Sequence, residues 1–184
     1  MLLILNFATF QIGWFSSVIG GANQMPWLGP LAALVALSIH FHFARRPQQE
    51  LILIISCAMI GAVFDSMLVA AGWVEYSSGL ISEVMAPYWI VTMWMLFATT
   101  LNVSMRWLRG RAPLAAFFGL IGGPTTYIAG QKLGGIDLVN QFAALAALAI
   151  GWAVMMPILL RLSETFDGMS ELPAGPREPI AETA

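Results

Sequence analysis

An all-α, polytopic membrane bundle of about six transmembrane helices is the fold class this sequence predicts, and three observations predict it. Of 184 residues, 59% are hydrophobic and 10% charged, against about 25% charged residues in an ordinary soluble domain. The apolar residues fall into six blocks of roughly 20 residues, the helical length that crosses a bilayer core. Basic residues then sort to one side of those blocks. Arg45 and Arg46 follow the second, Arg106, Arg109 and Arg111 the fourth, and Arg161 and Arg177 the sixth, while Lys132 alone follows the fifth. Positive charge near span ends is retained in the cytoplasm, so both termini are expected there.

The blocks run over residues 2–22, 27–44, 51–74, 87–108, 113–131 and 138–161. In the first, Asn6, Thr9, Gly13, Ser16, Ser17 and Gly20 share one face of a helix, a small and polar stripe suited to close packing. No basic residue precedes this block and it carries Asn6 and Gln11, so it reads as a span and not as a cleaved signal peptide. The second block ends in His40 and His42, which point about 160° apart on a helix and cannot share a metal ion. In the third, "GAVFDSMLVAAGW", Asp65 shares its face with Ala58, Gly61, Ala62, Val69 and Gly72. Small residues admit a neighbouring backbone, so the acid points into the bundle and needs a partner, a proton or water there.

The fifth block contains "GLIGGPTTYIAG", where two glycines and Pro124 weaken the helix at mid-membrane and predict a kink or a break. In the sixth, Ala143, Ala147 and Gly151 recur at intervals of four, a seam for close helix contact, and Pro157 predicts a kink nearer the cytoplasm. Trp27, Trp73, Tyr76, Tyr88 and Trp89 gather at the outer ends and Trp107 at an inner end, the placement of interfacial anchors. Residues 1–162 thus form one transmembrane domain. Residues 163–184, Pro-containing, acidic and poor in aromatics, are expected to be a disordered cytoplasmic tail. The single Cys57 permits no intramolecular disulfide.

Counting about 1.5 Å per residue from the cytoplasmic ends puts Asp65, Trp14, Thr92, Thr125 and Thr126 together, about 18–24 Å deep. These five are the candidate polar pocket. A second layer, Asn6, His40, Ser56 and Asn102, lies about 6–9 Å from the same ends. No catalytic triad, phosphate loop, Cys pair or metal-binding helix motif stands out, so no catalytic, cofactor or metal residue is assigned and no cofactor is expected. The net charge of −2 gives no reason to expect nucleic acid. The partner implied is the lipid bilayer, and small-residue seams also suit a membrane-protein partner.

Taken together, "NFATFQIGWF", "GAVFDSML", "WMLFATTLNVSMRWLRGR" and "GGPTTYIAGQKLG" resemble a domain-of-unknown-function family of small bacterial inner-membrane proteins, over about residues 1–162. The resemblance implies a multi-pass protein of the bacterial inner membrane and brings no activity or site. From the residues themselves, the leading expectation is a noncatalytic protein that binds or moves a small or lipidic ligand near Asp65 and an interrupted fifth span. The alternatives are an intramembrane enzyme of lipid or quinone metabolism that uses His40 beside Asn6 and Asn102, and an accessory or assembly subunit of a membrane complex.

Overall fold

The structure, a computed structural model, describes residues 1–170. Six helices follow one another: α1 (Leu2–Ala22), α2 (Leu28–Phe43), α3 (Pro47–Ala70), α4 (Tyr88–Leu101), α5 (Ala112–Lys132) and α6 (Gln141–Thr165). A 3-10 turn, Arg106–Leu108, lies between α4 and α5, and two short strands, β1 (Glu75–Tyr76) and β2 (Ile136–Asp137), pair antiparallel. Four of the helices, α1, α3, α5 and α6, are long and apolar enough to cross a membrane. Their outward faces carry large apolar side chains, Ile4, Val63, Phe142 and Ile150 among them, each at least 60% exposed. Such surfaces suit hydrocarbon and not water.

The other two helices are shorter, 16 residues in α2 and 14 in α4. For α4 the reason lies in its position. Trp89, Ile90, Trp94 and the run from Leu96 to Leu101 are all buried, so protein and not lipid surrounds most of it and its length need not match the bilayer. It packs against α1, α2 and α3. The sixth helix forms a close antiparallel hairpin with α5 and touches α3.

Local signals set the helix ends. Pro47 opens α3 at its first position, where a missing N–H costs nothing. Asn140 caps α6, its side chain accepting from the Ala143 N–H. At the far end of α3, Gly72 adopts φ +66°, with its N–H bonded to Val69 O and that of Trp73 to Leu68 O. Gly134, at φ +82°, ends α5 in the same way, with Gly134 N–H on Gln131 O and Gly135 N–H on Gly130 O. A left-handed glycine that closes a helix with this bond pair turns the chain sharply. Both turns lead into strands, which pair across the end of the bundle.

The structure alters three expectations. Helix α3 stops at Ala70, four residues before the block's apolar run ends, because Gly72 turns the chain. Helix α5 is continuous through Pro124. The hydroxyls of Thr125 and Thr126 turn back onto Ile121 O and Gly122 O of their own helix, and Gly119 and Gly123 serve packing: a Cβ on either would collide with Trp152 of α6. Third, the expected tail is ordered at its start. Helix α6 runs on to Thr165, and residues 166–170 are tied to the bundle by hydrogen bonds. The rest of that tail, 171–184, lies outside the described residues.

Candidate functional site

Asp65 has no solvent exposure. Its Oδ1 accepts from the hydroxyl of Tyr76 at 2.9 Å and from that of Tyr127, and its Oδ2 from the indole N–H of Trp94 at 2.6 Å. The partners come from four different places: Asp65 from α3, Trp94 from α4, Tyr127 from α5 and Tyr76 from β1. Two features permit this. Gly61, one turn before Asp65, has no Cβ to keep the Trp94 ring away, and a Cβ there would fall inside that ring. The early end of α3 lets β1 fold back so that Tyr76 reaches the acid. Tyr76 is 6% exposed and Trp89 is fully buried, with its N–H on Ser78 O. Neither is the interfacial anchor that its position predicted, whereas Trp27 and Trp107 remain about half exposed.

Among the described residues no Lys, Arg or His forms an ion pair with Asp65. Three neutral donors satisfy its oxygens instead, and in an apolar interior a carboxylate without such donors would be far costlier. Of the five residues expected to share its pocket, none touches it. Thr92 bonds to Trp89 O on its own helix, and Thr125 and Thr126 are exposed on α5. A threonine in a helix satisfies its hydroxyl most easily on the preceding turn, which is why equal depth did not become contact.

Trp14, Thr125 and Thr126 instead line a different feature, a cleft between α1 and α5. Its inner chamber, about 230 Å³, is bounded by Trp14 and Phe10 of α1, Trp94 and Phe97 of α4, Phe118, Gly122 and Tyr127 of α5, and Trp152 of α6. An outer groove of about 440 Å³ shares Phe10, Trp14, Phe118, Gly122 and Thr126 and continues along Gln11, Ile121 and Thr125. Trp94 and Trp152 stack in its wall at 4.7 Å and 16°, with Phe97 edge-on to both. Gly122, Thr125, Thr126, Phe117 and Ile121 are exposed, so the groove opens sideways, toward the surroundings of the apolar faces. The indole nitrogens of Trp14 and Trp152 are buried without an acceptor. Asp65 stands directly behind this wall, bonded to two of its rings, Trp94 and Tyr127.

The second expected layer divides differently. Asn6 donates to Thr99 O at 3.0 Å and accepts from Ser104 Oγ at 2.8 Å, joining α1 to α4. His40 and Asn102 meet on a residue the sequence reading passed over, Glu50, which is fully buried in the first turn of α3. His40 Nε2 lies 2.7 Å from Glu50 Oε2, and Asn102 Nδ2 and the Gly168 N–H donate to Oε1. Ser56 is half-buried and joins neither group. Glu50 escaped notice because it stands just outside an apolar block, where an acid reads as an exposed helix start. The buried His40 ten residues earlier was the available signal.

Beside Glu50, Asp167 gathers the arginines. Its Oδ2 accepts from Arg106 at 2.9 Å and Arg109 at 2.8 Å, and its carbonyl from Arg46. Arg109 also donates to Asn102 Oδ1 and Ser163 O. Burial would raise the Asp167 carboxyl, but hydrogen bonds from Arg109 and Ser170 outweigh it and hold it down at about 2. The basic connections after α2 and α4 thus meet the end of α6 at one pole of the bundle, and the β1–β2 pair marks the other.

No curated protein and no solved structure matches the chain. The model of one protein family matches residues 3–158, nearly the whole helical bundle. The chain therefore belongs to the family described as Protein of unknown function (DUF2878).

Proposed function

We propose that this protein binds a hydrophobic ligand that enters the α1–α5 cleft sideways from a bilayer, in the inner membrane of a bacterium, with the arginine-rich pole on the cytoplasmic side. The carrying observation is the cleft itself. Aromatic rings line it, it opens through exposed apolar residues of a helix long enough to span a membrane, and it runs inward to a buried carboxylate. Ligand sites are concave and mostly apolar with few polar groups, and sites between helices are a recurrent place for them. The inner chamber is smaller than the roughly 300–1,000 Å³ of sites that enclose whole drug-sized molecules. It suits one end of a ligand whose remainder lies in the groove and the bilayer. His40 is 4% exposed and bonded to Glu50, which favours binding over an enzymatic reading built on that histidine.

Gly122 supplies the test. It lines both chamber and groove, and a Cβ there meets nothing within 4 Å. Leucine is also the better helix former by about 0.8 kcal/mol. Gly122→Leu is therefore expected to fold normally and fill the opening. Lipids extracted after purification in mild detergent from native membranes should include a species that is enriched with the wild-type protein and lost from the variant. An identical lipid profile in both proteins would overturn the proposal.

A further inference from the structure

We infer that the cleft selects a lipophilic cation, such as a quaternary ammonium group carried on an apolar body; this rests on the cleft being a ligand site. Two independent features lead to that charge. Aromatic rings form the chamber wall, Trp94, Trp152, Phe97 and Trp14 among them, and the negative face of an aromatic ring attracts a cation, most strongly in tryptophan. Behind that wall lies Asp65, whose oxygens are met by neutral donors and, among the described residues, by no cationic side chain. The two rings that carry those donors, Trp94 and Tyr127, themselves face the chamber.

A positive ligand in the chamber would thus stand one ring away from an acid that lacks a countercharge, inside an apolar medium where such attraction is weakly screened. An anionic ligand meets the opposite conditions, since the acid repels it and no basic residue lines the chamber. Neutral ligands gain contact area alone. The outer groove is apolar, so a bare inorganic cation has no ligands along its way in. Quaternary ammonium on a hydrocarbon body satisfies both halves of the site, because it needs no hydrogen-bond acceptor and sheds water at low cost.

Two probes of the same shape separate charge from size: benzyltrimethylammonium and its uncharged carbon counterpart, neopentylbenzene. Binding is measured by equilibrium dialysis of the full-length protein in micelles against empty micelles, which removes partition into detergent. The expected result is at least tenfold tighter binding of the cation by wild type. Asp65→Asn should abolish that preference while leaving the neutral probe's affinity within about twofold, and Gly122→Leu should lose both probes. If both probes bind equally to wild type, or Asp65→Asn keeps the preference, the cation inference falls while the cleft stands as a neutral site. If neither probe shows binding that depends on Gly122, the cleft reading falls as well. Should Asp65→Asn fail to fold, the preference in wild type and its loss in Gly122→Leu still decide the matter.

Discussion

Glu50 and Asp65 lie on the same helix, about four turns apart, and neither has any solvent exposure. Their surroundings differ in kind. Glu50 is paired with His40, takes hydrogen bonds from Asn102 and Gly168, and draws α2, α3, the end of α4 and the end of α6 together. Asp65 takes hydrogen bonds from two tyrosines and a tryptophan, none of them charged, and stands behind a cleft. The first acid has its countercharge within the chain and is built to hold the pole closed. At the second, the chain supplies donors and leaves charge to be balanced by something else. Equal burial of two carboxylates therefore says little about their roles; what decides is whether a cation comes with the fold.

Replacing each acid by its amide tests that contrast, and the larger effect is expected at Glu50. Glu50→Gln removes one charge of a buried pair, and breaking such a pair costs about 3–5 kcal/mol, read as a shift in the denaturant midpoint of the protein in micelles. At Asp65 no ion pair is lost. Asp65→Asn keeps an oxygen for the tyrosines but turns an amide N–H₂ toward the Trp94 N–H, so one hydrogen bond is lost, at about 1–3 kcal/mol. If the two variants lose equal stability, the His40 countercharge does not distinguish the sites.

A smaller effect should appear in acid, and only at the arginine-rich pole. Asp167 is held at about 2 in the folded protein, below the roughly 3.9 of a free aspartate. A depressed carboxyl stabilises the fold fully above its unfolded value, and that contribution is lost as pH falls from about 4 through about 2. The expected loss is about 1–2 kcal/mol, since the pair is partly open to solvent and screened. Asp167→Asn should flatten the acid limb of the stability curve over that interval. An unchanged limb would mean that Asp167 does not lock residues 166–170 to the pole.

The sequence alone determined the membrane character, the six helices within a few residues of their ends, and the gathering of arginines on one side. These follow from composition and periodicity, which act locally: an apolar block of about 20 residues is stable as a helix in hydrocarbon whatever its neighbours are. The polar stripe of α1 was legible for the same reason, and Asn6, Gly13, Ser17 and Gly20 are indeed buried. Depth along each span correctly brought Trp14, Thr125 and Thr126 to one place, but it attached that place to Asp65 without the tryptophan and tyrosines that intervene.

Only the tertiary structure decided which groups satisfy the acids. Tyr76 reaches Asp65 from a strand, Trp94 reaches it because Gly61 leaves room, and Gly168 reaches Glu50 from 118 residues away. Hydrogen bonds depend on direction and on distances of a few tenths of an ångström. Helical periodicity fixes a side chain's height and facing on its own helix, but rotation and tilt between helices are set by the packing of all of them together.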